Sequence, residues 1–305
     1  MRHLLTLFEM TTAEIDHVFA ITKDLKTKYE QGLREPLLPG RVMALLFEKP
    51  SLRTRVSFET GMANLGGSSL VLGADAGFGK RESAKDFARV LSQYVDVVVV
   101  RAFHHRDVVQ FAEHAACSVI NGLTDYVHPC QALADLYTLK ELAGSLEGQR
   151  LAYIGDGNNV ARSLAICCGK LGVSIAVASP KGYELDADFL GGLQAEVPEV
   201  DITVTHDPIA AVDGATAVYT DVWASMGQEA EKAERQEIFA SYQVNQRLMS
   251  HAAPDAYFMH CLPAHRGEEV AAEVIDSPCS VVVQEASNRM HVQKGLLAWL
   301  LGANA

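Results

Sequence analysis

The chain has 305 residues, 49% hydrophobic and 21% charged, with a formal net charge of −12 at neutral pH. That length exceeds one core of typical size and predicts two domains, and the acidic balance argues against nucleic acid or an anionic membrane as partner. No apolar run approaches membrane-spanning length and no charged-then-apolar leader opens the chain, so a cytoplasmic protein is expected.

The predicted elements alternate strand and helix, which argues a parallel α/β sheet in each half. An amphipathic helix follows Met1–Leu7. Strands are then expected at Val42–Phe47, Ser69–Leu72, Val97–Val100 and Ser118–Ile120, with Ala84, Phe87, Ala88, Leu91 and Tyr94 on one face of an intervening helix. A helix runs from about Pro129 to Leu142, and the turn-rich Gly144–Gly148 marks the domain junction. Beyond it, strands are expected at Leu151–Ile154, Ile175–Ala178, Ile202–Val204, Ala217–Thr220, Tyr257–Met259 and Val281–Val283. Gln228–Phe239 reads as a mobile, charge-rich loop leading into a short helix, and Arg289–Leu301 as a terminal helix. The domains are accordingly 1–143, 144–286 and a closing helix over 287–305. The fold class is α/β: two doubly wound parallel-sheet domains with the active site in the interdomain cleft.

Six polar groups sit just past strand ends: Ser51–Arg55, Arg101, His128–Gln131, Asp156–Asn159, Asp221–Met226 and His260–Arg266. Ligands of open parallel sheets bind at the carboxyl ends of strands, so one shared site is expected. Ser51, Arg53, Thr54 and Arg55 at a helix start suit a small oxyanion, because free N–H groups and the helix dipole favour negative charge there. Arg101 and Arg289 are further candidate cations. Pro129 is a good first helical residue, leaving His128 and Gln131 to recognise a carbonyl and an NH2 group. Gly155-Asp156-Gly157 is half of a dinucleotide fingerprint. It lacks the third glycine, and Ser179-Pro180 stands where a ribose-binding acid belongs, so the asparagines are assigned to a polar small molecule. Asp221 suits an ammonium group, and Ser225 with its loop a carboxylate. The cysteines (Cys117, Cys130, Cys167, Cys168, Cys261 and Cys279) show no C-x-x-C spacing, which argues against a disulfide framework. His260 and Cys261 are consecutive and would point opposite ways in a strand, which argues against zinc. Leu262-Pro263 is a candidate cis bond.

Together these strings resemble the aspartate/ornithine carbamoyltransferase family along essentially the whole chain. Ser51-Leu52-Arg53-Thr54-Arg55 and His128-Pro129-Cys130-Gln131 are similar to the family's carbamoyl phosphate signature. Asp221-Val222-Trp223-Ala224-Ser225-Met226-Gly227 and His260-Cys261-Leu262-Pro263 resemble the elements of its ornithine-specific branch. The resemblance implies carbamoyl phosphate contacts from Ser51, Leu52, Arg53, Thr54, Arg101, His128, Pro129, Cys130, Gln131, Cys261, Leu262 and Arg289. It implies L-ornithine contacts from Asn159, Asp221, Ser225 and Met226. It also implies a C-terminal helix packing back on the first domain, and a homotrimer with active sites at subunit contacts. Two positions depart from the family pattern: Leu52 replaces a frequent Thr, and Gly77 replaces a Gln or His that reaches a neighbouring subunit, leaving Lys80 or Arg81 to supply that contact.

The implied reaction is attack of the ornithine side-chain amine on the carbamoyl carbon, giving citrulline and phosphate, with Arg101, His128, Cys261 and Asp221 as catalytic residues. No metal or organic cofactor is required, since the leaving phosphate already activates the carbonyl. Cys261 and Asp221 both remain candidates for taking the amine proton. A carbamoyltransferase with another acceptor (aspartate, putrescine or an N-acylated ornithine), a catalytically silent sensor and a nicotinamide oxidoreductase are the competing readings.

Overall fold

The computed structural model describes residues 2–73, 76, 78, 82–224 and 231–302. The chain divides into two compact units, Met1–Ala134 with Ser287–Ala305, and Asp135–Ala286.

The first unit contains β1 (Val42–Phe47), β2 (Ser68–Leu72), β3 (Val97–Arg101) and β4 (Ser118–Leu123). Its helices are α1 (Thr12–Glu30), α2 (Leu52–Asn64), α3 (Ala84–Leu91), α4 (His105–His114) and the start of α5 (Pro129–Ala143). The sheet is parallel, in the order β2-β1-β3-β4. Val97–Val100 are all fully buried, as an interior parallel strand requires, whereas β2 is an edge strand with Leu70 and Val71 exposed. At the opposite edge Leu4 bridges Ile120 of β4. The topology reverses between β1 and β3, which makes their carboxyl ends the expected ligand crevice.

The second unit carries β5 (Arg150–Ile154), β6 (Ser174–Ala178), β7 (Ile202–Thr205), β8 (Ala217–Thr220) and β9 (Tyr257–His260), parallel in the order β7-β6-β5-β8-β9. The switch point here lies between β5 and β8. Helices α6 (Asn159–Leu171), α7 (Ala187–Glu196), α8 (Pro208–Val212), α9 (Lys232–Phe239), α10 (Gln246–Met249) and α11 (Ala272–Ile275) follow, and α12 (Val282–Leu300) closes the chain. No helix among the described residues is long and apolar enough to cross a membrane.

Three expectations change. Val281–Val283 do not form a strand: Ser280 makes a single bridge to Phe258, and the Glu285 N–H already donates to the Val281 carbonyl. Three β-branched residues are outweighed by a helical face on which Glu285, Asn288, Arg289 and Val292 are all buried. The terminal helix therefore begins well before Arg289. Helix α3 stops at Leu91, and Tyr94 is 71% exposed while Val95 takes the core position. By compactness the second unit begins at Asp135 within α5, and Asp135 hydrogen-bonds the Glu285 carboxyl of that same unit. Finally, Lys232–Phe239 is helical, with Arg235 and Phe239 buried; the preceding Gln228–Ala230 lies outside the described residues.

Candidate active site

In the first unit, Ser51 leaves β1 in an extended conformation and caps α2, its hydroxyl accepting from the Thr54 N–H. Arg53 is half-buried on the first turn, and Leu52 is 75% exposed, so Leu52 offers only its backbone to this site. Arg55 does not join: it is exposed and ion-paired with Glu59 one turn on (2.9 Å). The buried centre is Thr54. Its Oγ1 accepts from Arg101 at the end of β3 (3.2 Å) and from Arg289 on α12 (3.0 Å). Two guanidinium groups thus converge on one neutral hydroxyl at the carboxyl edge of the sheet.

His128 ends the β4–α5 connection, and Pro129 starts α5. Burial, reinforced by the Arg289 and Arg101 charges, drives the His128 imidazole well below its ordinary value. It is therefore neutral and can act only as a hydrogen-bond donor or acceptor, not as a cation. Gln131 is buried on the first turn of α5. Cys130 turns away, its thiol donating to the Asn121 carbonyl of β4 (3.6 Å), and burial pushes that thiol up to about 12. A separate cavity of about 480 Å3, lined by Tyr94, Cys117 and Leu300, opens at the amino-terminal edge of this sheet, away from these groups.

In the second unit, Asn158 organises the switch point. Its Oδ1 caps α6 by accepting from Val160 and Ala161, while its Nδ2 donates to Asp221 Oδ2 (2.9 Å). Asp221 follows β8 and is buried; its Oδ1 accepts from the Val222 N–H (2.8 Å) and the Cys261 thiol (3.0 Å). Burial, with the Asp221 charge next, holds the Cys261 thiol well above its usual range, so the sulfur is a donor here and not a thiolate. Asn159 opens α6 and is half-buried. Ser225 and Met226 lie outside the described residues, as do Gly77, Lys80 and Arg81.

Leu262-Pro263 is a cis bond and Leu262 has φ 56°. The ligand atoms of Asp221, His260 and Cys261 lie within 4.8 Å of one another, which corrects the expectation that His260 and Cys261 point apart. These donors are engaged, however: His260 Nδ1 accepts the Leu262 N–H (2.8 Å) and Nε2 faces Glu269 Oε1 (3.2 Å). Burial alone would raise Glu269, but hydrogen bonds from His260 and the His265 N–H outweigh it and hold this carboxyl below its ordinary value. The G-x-G string also has a packing explanation. A Cβ on Gly157 would come within 2.5 Å of the Glu184–Leu185 backbone, so the glycine permits close chain approach without any nucleotide. Sequence patterning missed Arg235 and Glu269; neither stands in a periodic or motif-like context that would single it out.

Two family models match the chain. The carbamoyl-P binding domain of aspartate/ornithine carbamoyltransferase covers residues 2–141, and the Asp/Orn binding domain of the same family covers residues 147–300. Ornithine carbamoyltransferase of Bacillus subtilis (strain 168) is 52% identical over 98% of this chain and 94% of its own. Among solved structures, ornithine carbamoyltransferase from Pyrococcus furiosus superposes with TM-score 0.96 at 49% identity, covering 100% of this chain and 98% of that one. The anabolic ornithine carbamoyltransferase from Campylobacter jejuni gives TM-score 0.92 at 33% identity, covering both chains completely.

Proposed function

The chain belongs to the aspartate/ornithine carbamoyltransferase family, and from that premise we infer that it transfers the carbamoyl group of carbamoyl phosphate to the side-chain amine of L-ornithine. The products are L-citrulline and phosphate, a step of arginine metabolism. The observation that carries this reading is the Thr54 hydroxyl held between Arg101 and Arg289 beside a neutral His128.

In this reading Ser51, Arg53 and the first N–H groups of α2 hold the phosphate, with Leu52 contributing backbone alone. Arg101, Thr54 and His128 aim donors at the carbonyl oxygen, where negative charge develops in the tetrahedral state. One such donor is worth roughly 2.7–4 kcal/mol. A neutral His128 suits that role, since it donates without adding a third charge beside two arginines. Gln131 offers an amide to the carbamoyl NH2, Pro129 fixes the start of α5, and Arg289 adds charge at the phosphate. Cys130 is left to packing, and Leu262 supplies main-chain groups from its turn.

The attacking amine must be neutral. An alkyl ammonium with pKa near 10.4 is only about one part in a thousand free base at pH 7.4, a cost of roughly 4 kcal/mol. Asp221 is the proton acceptor in this reading, because the Cys261 thiol is itself protonated and donates to the Asp221 carboxylate. As the amine nitrogen bonds to the carbamoyl carbon, the carbon–oxygen bond to phosphate breaks and the amine proton passes to Asp221. Asn159, Ser225 and Met226 are assigned to the α-amino and α-carboxylate groups of ornithine. The donor set calls for no metal or organic cofactor.

A cytoplasmic homotrimer is part of the same reading. Leu52 and Val56 lie one turn apart on α2, Leu70 and Val71 lie on the edge strand β2, and all four are exposed, which suits burial against a second copy.

The test is an acceptor panel with carbamoyl phosphate. Ornithine should be used in preference to aspartate, putrescine and N-acetylornithine, and Arg53→Ala should nearly abolish turnover in a folded protein. Preference for another acceptor, or full activity in Arg53→Ala, would refute the assignment.

A further inference from the structure

We propose that Arg235 is the positioning residue that sets the acceptor carboxylate Asp221, by tying the loops after β5 and β8 to helix α9; this rests on the ornithine reading above. Arg235 is only 6% exposed and makes four directed contacts with separate parts of the second unit. Its Nε donates to Glu231 Oε2 (2.9 Å). One terminal nitrogen donates both to Asp156 Oδ2 (2.8 Å) and to the Trp223 carbonyl (2.9 Å). The guanidinium also lies over the Tyr183 ring, 4.9 Å from its centroid.

Two of those partners bracket Asp221. Trp223 follows it by two residues on the β8 loop. Asp156 precedes by two residues the Asn158 whose amide holds Asp221 Oδ2 (2.9 Å). The contacts therefore close a ring: Arg235 to Asp156, along the backbone to Asn158, across to Asp221, along the backbone to Trp223, and back to Arg235. A carboxylate inside such a ring cannot shift without breaking a charge-assisted bond on one side or the other. Arg235 does not touch Asp221, so its influence runs entirely through these two loops.

The chemistry requires arginine. The in-plane donors of the guanidinium point in fixed directions toward the carboxylate just before α9, a loop carboxylate and a carbonyl, while the face stacks on Tyr183. Lysine offers three rotatable donors on a point charge and no plane to stack. Removing the side chain also leaves Asp156 buried without this counter-charge, so a neutral replacement releases the loop instead of resetting it.

The experiment compares wild type with Arg235→Gln, Arg235→Lys and Asp156→Asn by two readouts. In steady state, Arg235→Gln should raise KM for ornithine by about tenfold or more and leave KM for carbamoyl phosphate within about twofold. Arg235→Lys should restore only part of the loss. Asp156→Asn should move ornithine KM in the same direction, and the double variant should be no worse than the worse single one, as expected for residues acting together. Independently of turnover, the pH profile of Cys261 alkylation, followed by peptide mass mapping, should shift in Arg235→Gln because the thiol bonds directly to Asp221. An unchanged alkylation profile, or KM values for both substrates rising together, would overturn the proposal. Should Arg235→Gln fail to fold, Arg235→Lys and Asp156→Asn decide the matter by the same two readouts. Lack of ornithine turnover in wild type with a shifted alkylation profile would instead overturn the functional reading and leave the positioning role standing.

Discussion

Asp221 and Cys261 share one hydrogen bond, and the proposed mechanism gives them different roles. The carboxylate accepts from Asn158, Val222 and Cys261, and the thiol is kept protonated by burial and by that same negative charge. Asp221→Asn removes the proposed proton acceptor and should lower kcat/KM for ornithine by about a hundredfold or more. Cys261→Ser keeps a donor at the same position and should cost about tenfold or less, with the pH dependence of kcat retained. The sign is set by the direction of the shift: a thiol held above its usual range has no thiolate to lose at neutral pH. Equal losses in the two variants, or a pH limb that disappears in Cys261→Ser, would transfer the proton to sulfur. Both residues were legible in the strings Asp221-Val222-Trp223 and His260-Cys261-Leu262-Pro263. Which of them donates in the hydrogen bond between them was not, because that direction is a property of atoms that only folding brings within 3.0 Å.

At the level of elements, α12 carries both a proposed site residue, Arg289, and the tightest glycine contact among the described residues. A Cβ built on Gly295 would stand 2.2 Å from Thr22 Oγ1 and 2.9 Å from the Val18 carbonyl of α1. Thr22 cannot easily yield, since it is fully buried and its hydroxyl already donates to Val18 (2.7 Å). Gly295→Ala is expected to lose roughly 1–3 kcal/mol by overpacking. It should appear as a lower melting temperature with KM for ornithine unmoved; an unchanged melting temperature would mean that the helices separate without cost. The sequence pattern placed β1, β3 and β5 to within a residue or two because their apolar runs are continuous and bounded by turns. It mistook Val281–Val283 because three β-branched residues read as a strand until the buried face of Glu285, Asn288, Arg289 and Val292 is seen. A helical face containing Glu, Asn and Arg is invisible to hydrophobic periodicity.

For the whole molecule, the exposed apolar residues on α2 and β2 lead to the assembly prediction. Sedimentation equilibrium should give the mass of three chains, and Val56→Asp with Leu70→Asp should release monomers that still melt cooperatively. A monomeric wild-type protein, or a trimer undisturbed by both charges, would remove that face as the contact. The sequence by itself determined the alternation of strand and helix, the two-unit division and the strand-end placement of the polar groups, since these follow from apolar run length, turn residues and short motifs. Only the tertiary structure decided that Arg55 faces solvent while Arg101 and Arg289 converge on Thr54. It alone also revealed that Asn158 holds Asp221 and that Arg235 is buried. The reason is physical: residues far apart along the chain become partners only when parallel strands align their ends, and that register is a long-range property no local pattern contains.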